Sequence, residues 1–182
     1  YHWLGVYVGQ PVDSTTGAIE TIDYSHHEIH SGSHYFAVYS ALKDNAGTIE
    51  VRIATPNTTK WAHMRIVVDS GLAATAQLWM NTTKTHVADN AITPMNRNHN
   101  SDNTSGLTIC HTPGGAEAAA AALTQYIGAA TVSGKAAAGG NATNEAEFIL
   151  KQNTAYLIRG TSRADGNSLS IILDWYEHTD IA

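Results

Sequence analysis

Histidines and one carboxylate are concentrated in a short stretch near the start of the chain. His26, His27, Glu28 and His30 lie within five residues, and His34 follows four positions later. If this stretch is a β-strand, its period of two places His26, Glu28, His30 and His34 on one face. Imidazole and carboxylate groups in such a row are ligands that zinc and related transition metals accept. A small metal-dependent enzyme built on the row from His26 to His34 is therefore one hypothesis for this chain.

The spacing of this histidine row departs from known metal-binding signatures. The helical zinc-protease pattern requires two residues between the glutamate and the second histidine, whereas Ile29 alone separates Glu28 from His30. The paired His-x-His of cupin-like metal sites is also missing from this stretch. We therefore expect a polar segment whose imidazoles hydrogen-bond to backbone or to a neighbouring subunit, with no stoichiometric metal and no cofactor.

Other arrangements that could support catalysis are weak. The sequence contains no nucleophile elbow, phosphate-binding glycine-rich loop or dinucleotide fingerprint. Cys110 and His111 are adjacent, so on a strand they point to opposite faces, and a buried inert thiol is the expected result. Asp174 and Glu177 are two nearby carboxylates, but no feature places them in one cleft as glycoside hydrolysis requires. We expect no enzymatic activity.

The tryptophans offer a different kind of site. Trp61, Trp79 and Trp175, together with eight tyrosines, could form a platform on which sugars stack. Aromatic residues at alternating strand positions more often belong to a core or a subunit interface. A carbohydrate-binding adhesin or fibre-associated module is therefore a second hypothesis.

Length and composition favour one folded domain that binds other proteins. The chain has 182 residues, of which 43% are hydrophobic and 14% charged, and its formal net charge is −6. This acidic balance excludes nucleic acid and an anionic membrane surface as expected partners. The longest apolar runs, such as Ser168–Trp175, have the length of a strand and not of a membrane helix. We recognise no signal peptide after Tyr1, and the single Cys110 cannot form an internal disulfide.

Short apolar runs separated by turn residues predict an all-β fold, a jelly-roll-like sandwich of two sheets. Val51 and Ile53 alternate with the charged Glu50 and Arg52, and Ala62, Met64, Ile66 and Val68 lie opposite His63 and Arg65. Near the end, Leu169, Ile171, Leu173 and Trp175 share a face, while Ile172 and Tyr176 interrupt the polar side, so this strand should be partly buried on both faces. The predicted strands are Tyr35–Ala41, Thr48–Ala54, Trp61–Asp69, Ala76–Asn81, Leu107–His111, Phe148–Lys151, Tyr156–Gly160 and Ser168–Tyr176.

Two segments do not follow this pattern. Residues 1–21 form a predicted N-terminal arm, in front of a sandwich domain over residues 22–182. Trp3 and Tyr7 in the arm are candidate anchors on a neighbouring chain, since an exposed apolar arm is otherwise a liability. The insert Pro113–Asn141 is rich in alanine and glycine, so a short helix within Ala116–Gln125 and an extended loop are both open, and a hairpin with Leu123, Tyr126, Ile127 and Val132 is also expected here.

Several longer segments of the sequence resemble those of a tailed-bacteriophage structural family, the jelly-roll capsid decoration or cement proteins. The resemblance covers roughly Ile22 to His178. These segments are His26–Phe36, Thr55–Met64, Asn96–Asn98, Phe148–Thr154 and Leu173–His178.

The resemblance implies a virion protein made in the host bacterial cytoplasm and placed on the outer surface of the head. Its implied partners are the major capsid protein lattice and two further copies in a homotrimer over the joints between capsomers. The resemblance carries no catalytic residue to this chain. Candidate interface residues are Trp3, Tyr7, His26, Glu28, His30 and His34.

Overall fold

The computed structural model describes residues 24–117, 123–130 and 147–179, with backbone alone at Tyr24 and residues 123–130. These ranges contain ten β-strands, one α-helix and one short 3-10 helix. The elements are α1 (Tyr24–Ser31), β1 (His34–Lys43), β2 (Thr48–Ala54), β3 (Lys60–Ser70), β4 (Ala74–Met80), the 3-10 helix (Ala88–Asn90), β5 (Met95–Asn96), β6 (Thr108–His111), β7 (Leu123–Ala130), β8 (Glu147–Leu150), β9 (Ala155–Ser162) and β10 (Asn167–Thr179).

The strands form two five-stranded antiparallel sheets that pack as a sandwich. The first sheet has the order β5-β1-β10-β3-β8 and the second the order β6-β2-β9-β4-β7. Apart from the short edge strands β5 and β6, the chain passes between the sheets in the order of a jelly roll. The predicted all-β jelly-roll sandwich is confirmed.

The core lies between the sheets, and the alternating apolar residues identified in the sequence supply it. From β10, the central strand of the first sheet, four side chains with 0–1% exposure point inward: Leu169, Ile171, Leu173 and Trp175. From β2 of the second sheet, Val51 and Ile53 are buried against them, while Glu50 and Arg52 point outward. The predicted inward faces of these strands are therefore confirmed.

The histidine-rich stretch is a helix, so the strand geometry that would place His26, Glu28, His30 and His34 on one face does not apply. Helix α1 ends in a hydrogen-bonded Gly cap: Gly32 N–H donates to the Ile29 carbonyl and Ser33 N–H donates to the Glu28 carbonyl, both at 3.0 Å. Gly32 adopts a φ of +75°, which favours glycine, and an added Cβ would overlap the side chain of Ser101. The positive φ of Gly32 and its close contact with Ser101 both favour glycine at the end of this helix.

The two irregular segments are described in part. Within the predicted insert, Leu123–Ala130 forms the edge strand β7, paired with β4. This agrees with the expected extended structure around Leu123, Tyr126 and Ile127, whereas Val132 and residues 118–122 lie outside the described residues, as does the whole arm with Trp3 and Tyr7. No helix in the described ranges combines the length and the apolar character that crossing a membrane requires.

Candidate protein-docking face

The outer face of the first sheet carries a continuous apolar row. Residues directly paired in antiparallel strands point to the same side of a sheet. Val38 of β1 pairs with Ile172 of β10, and Ile172 pairs in turn with Val67 of β3. Their chain neighbours, including Ile171 and Val68, point into the core, so these three side chains point away from it. We call Val38, Ile172 and Val67 the apolar row.

Further exposed hydrophobic residues lie on the same face of the sheet as this row. Val38 is 48% exposed, Leu42 70%, Met95 52% and Ile149 60%, and these are all the large hydrophobic side chains classed as exposed in the described part of the chain. Met95 pairs with Phe36, which follows the outward register of β1, and Ile149 pairs with His63. All four therefore share the outer face of the first sheet. We call this face, with the apolar row at its centre, the docking face.

The outer face of the second sheet differs, because its apolar side chains Cys110, Leu157 and Trp79 are buried and an ion-pair group lies beside them. Glu50 accepts hydrogen bonds from Arg159 and is 3.1 Å from the Lys84 Nζ. The Arg159 guanidinium in turn lies 4.6 Å from the ring centre of Trp79. The exposed large hydrophobic side chains of the described residues therefore all lie on the docking face and none on this surface. Contiguous exposed apolar surface typically marks a protein-interaction site.

One end of the docking face is fixed by an ion-pair cluster around Asp174. Arg97 donates from Nε to Oδ1 and from Nη2 to Oδ2, each at 2.8 Å, and the His34 Nε2 lies 2.7 Å from Oδ1. The other ring nitrogen of His34 is 3.3 Å from the Ser25 carbonyl of α1. The cluster therefore ties the helix, β1 and the loop after β5 to the central strand β10.

The same contacts decide the acidity of Asp174. Burial raises the pKa of this carboxyl, but the hydrogen bonds and charges of His34 and Arg97 outweigh burial and hold the pKa below its ordinary value of 3.8. A carboxyl whose pKa is lowered by folding stabilises the fold above its unfolded-state pKa. That contribution disappears as pH falls through the lowered value.

We therefore expect the stability gap between the wild type and an Asp174→Asn variant to shrink on acidification. Urea unfolding at about pH 6 should show the variant clearly less stable, and the difference should narrow below about pH 4. Asp69→Asn, at an exposed position of the same face, controls for the loss of one negative charge. A gap between wild type and Asp174→Asn that stays constant or widens in acid would contradict this assignment.

A second polar cluster joins β3, β8 and β10 beside the first. The His63 Nδ1 lies 2.6 Å from the Glu147 Oε1, and the Tyr176 hydroxyl donates to the same oxygen at 2.9 Å. The rings of His63 and Tyr176 stack at 4.8 Å, and His178 lies beside both. Tyr176 belongs to the face that the sequence predicts to be partly buried, and its contacts account for that burial.

The predicted interface residues do not share one surface. His26 and His30 lie one turn apart on α1, where both are exposed and their Nε2 atoms are 3.0 Å apart. Glu28 is 6% exposed and bonds to Ser31 and Ser33, and His34 is 7% exposed beside Asp174. Only His26 and His30 of the described candidates are therefore placed to meet a partner.

The fold also separates the two residue pairs that the sequence analysis considered as weak catalytic candidates. Cys110 is completely buried, as predicted, while His111 stacks on Tyr39 with ring centres 4.4 Å apart. Asp174 lies on the outer face, whereas Glu177 is buried and accepts hydrogen bonds from the Trp175 indole, Ser105 and Gly106. The two carboxylates therefore face different environments.

The three tryptophans do not form a sugar platform. Trp175 is in the core between the sheets, Trp79 lies beneath Arg159 on the second sheet, and Trp61 is partly exposed on the first. A stacking platform needs rings on one accessible surface. Trp61, Trp79 and Trp175 therefore do not meet on one such surface.

No group of three or more histidine, cysteine, aspartate or glutamate side chains is arranged to hold a metal within residues 24–117 and 147–179.

The chain matches no protein-family model, no curated protein and no solved structure. Function is therefore argued from the chain's own surface, of which the docking face is the most distinctive part. The sequence signal for that face was Ile172, the apolar residue that interrupts the polar side of β10.

Proposed function

We propose that this chain is a non-enzymatic virion protein, a decoration or cement protein that binds the outer surface of a tailed-phage head and stabilises the shell. The observation that carries the proposal is the docking face, where every exposed large hydrophobic side chain of the described residues is collected on one sheet. The jelly-roll fold and the resemblance of several sequence segments to phage decoration proteins support the same function.

The chemistry of the docking face suits a protein partner. Stable interfaces combine an apolar centre with a polar rim. The apolar row supplies the centre, while Arg65, Asp69 and Ser170 occupy neighbouring outward positions on β3 and β10. The proposed partner is the lattice of the major capsid protein, and burial of this face against it would remove hydrocarbon from water.

A homotrimer would make such attachment depend on the lattice. Three copies joined together present three docking faces, and each contact after the first is formed at a high effective concentration. This gain requires capsomers held at a fixed spacing. Isolated capsid subunits offer one contact at a time, so they should bind the protein much more weakly.

The direct test compares assembled and dissociated capsid protein. We expect the purified protein to co-sediment with undecorated shells, to bind free capsid subunits far more weakly, and to raise the temperature at which shells rupture. A ligand that binds one state preferentially stabilises that state. Equal binding to shells and subunits, or an unchanged rupture temperature at saturation, would overturn the cement function.

A further inference from the structure

Two histidines from distant parts of the sequence face each other at the edge of the docking face. His63 of β3 and His178 of β10 are 115 positions apart, and their Nε2 atoms are separated by 2.8 Å. Their ring centres are 4.5 Å apart. They are diagonal neighbours across the β3–β10 ladder, in which His178 pairs with Trp61 and His63 pairs with Tyr176.

The partners of the remaining ring nitrogens fix which nitrogens carry hydrogen. The His63 Nδ1 lies 2.6 Å from the Glu147 carboxylate, and the His178 Nδ1 lies 2.8 Å from the Thr179 carbonyl oxygen. An ionised carboxylate and a carbonyl can only accept, so each Nδ1 must donate. In a neutral imidazole the other nitrogen, Nε2, then bears a lone pair and no hydrogen.

Two lone pairs pointing at each other across 2.8 Å repel, so a cation between the rings would stabilise this arrangement. A proton can serve, shared as an imidazolium–imidazole hydrogen bond. A divalent transition metal can serve equally, because neutral imidazole nitrogen is among its preferred ligands. Metal-bound histidines characteristically donate their other N–H to a carboxylate or a backbone carbonyl, and His63 and His178 show one of each.

We propose that His63 and His178 form a binding site for a divalent transition metal ion such as Zn²⁺, through their Nε2 atoms. Tetrahedral zinc with Zn–N bonds of about 2.0–2.1 Å holds two ligand nitrogens roughly 3.3 Å apart. The observed separation is 2.8 Å, so the rings need to open by about half an ångström. His178 is partly exposed near the end of β10.

The site would fasten the end of β10 to β3, beside the docking face. With His63 and His178 as its ligands, the site should bind zinc more weakly than structural sites with four protein ligands. The proposal is independent of the cement function, because it concerns this chain alone.

Zinc titration of the isolated protein tests the site. We use a His26→Ala/His30→Ala background, since the exposed helical pair could also bind zinc. In this background we expect about one Zn²⁺ per chain by calorimetry. Zinc-dependent shifts of the His63 and His178 Nε2 resonances in ¹⁵N NMR spectra should accompany binding. Zinc should also raise the Tm of this protein.

Added substitutions separate a metal site from a structural contact. His178→Ala should abolish both zinc binding and the zinc-dependent rise in Tm. Glu147→Gln keeps both ligands but weakens the partner of the His63 Nδ1, so affinity should fall by about 10–100-fold. Circular dichroism without metal would confirm that each variant is folded. Binding that is absent in the background protein, or that survives His178→Ala unchanged, would overturn the proposal and leave a shared proton between the rings.

Discussion

Replacing Trp175 with alanine is expected to lower the free energy of unfolding by about 3–5 kcal/mol. The indole is completely buried at the centre of the sandwich, on the central strand of the first sheet, and its ring lies 5.9 Å from that of Tyr35. Truncation would leave a large cavity between two sheets that cannot close over it. Domains are typically stable by about 5–15 kcal/mol, so this single change would remove much of the total.

The indole also has a polar role, which a second variant isolates. The Trp175 Nε1 donates to the Glu177 carboxylate at 3.0 Å, and Glu177 is 7% exposed. Trp175→Phe keeps most of the ring volume but removes this donor from a buried charge, at a cost of about 1–3 kcal/mol. We therefore expect Trp175→Phe to be less stable than the wild type and more stable than Trp175→Ala.

Urea unfolding monitored by circular dichroism measures both losses, and Trp61→Ala is the matched control. Trp61 lies on the outer face of the same sheet and is partly exposed, so the same truncation should cost less there. Equal losses at the two positions would show that the predicted core is wrongly placed. An unchanged stability of Trp175→Phe would show that the hydrogen bond to Glu177 contributes little.

Strands such as β2 could be predicted because they have one solvent-exposed and one buried face. In β2 the buried Ile49, Val51 and Ile53 alternate with less buried residues, and its predicted bounds, Thr48–Ala54, agree with the structure. Periodicity carries this information because successive side chains of a strand point to opposite faces. It is less informative in β10, where Ile172 and Tyr176 place apolar groups on the outer face as well.

Helix α1 was missed because its residues have no clear apolar stripe. The histidines suggested a period of two, but the decisive signal was the pair Ser31-Gly32, which ends a helix when glycine takes a positive φ. The helix changes the meaning of the whole histidine row. It pairs His26 with His30 and turns Glu28 inward, and His34 falls on the next strand.

The clusters on the docking face could not be found by spacing. Asp174 meets Arg97 and His34 across separations of 77 and 140 residues, and His63 meets His178 across 115. Such contacts depend on which strands are neighbours and in what register, and a single sequence leaves both undetermined. Once the jelly-roll order is known, the ladder of β3 and β10 brings these residues together.

Placing two carboxylates on the docking face is expected to abolish attachment to phage shells. Val38→Asp/Leu42→Asp changes two outward residues of β1 that are 48% and 70% exposed, so the fold itself should tolerate the change. In the bound state both carboxylates would be buried against the partner without a counter-charge. An uncompensated buried charge costs about 3–5 kcal/mol, which corresponds to a loss of affinity of at least about 100-fold.

A trimer would repeat this cost at each of its three contacts, so co-sedimentation with shells should vanish at concentrations that saturate the wild type. The matched control is Thr48→Asp/Thr161→Asp, which adds the same charge to paired positions of the second sheet. This control should attach normally, because the proposed contact involves only the first sheet. If the control loses attachment and the Val38→Asp/Leu42→Asp variant keeps it, the second sheet faces the shell. If both attach normally while each remains folded by circular dichroism, neither outer sheet face binds the shell, and the contact must be made elsewhere on the chain.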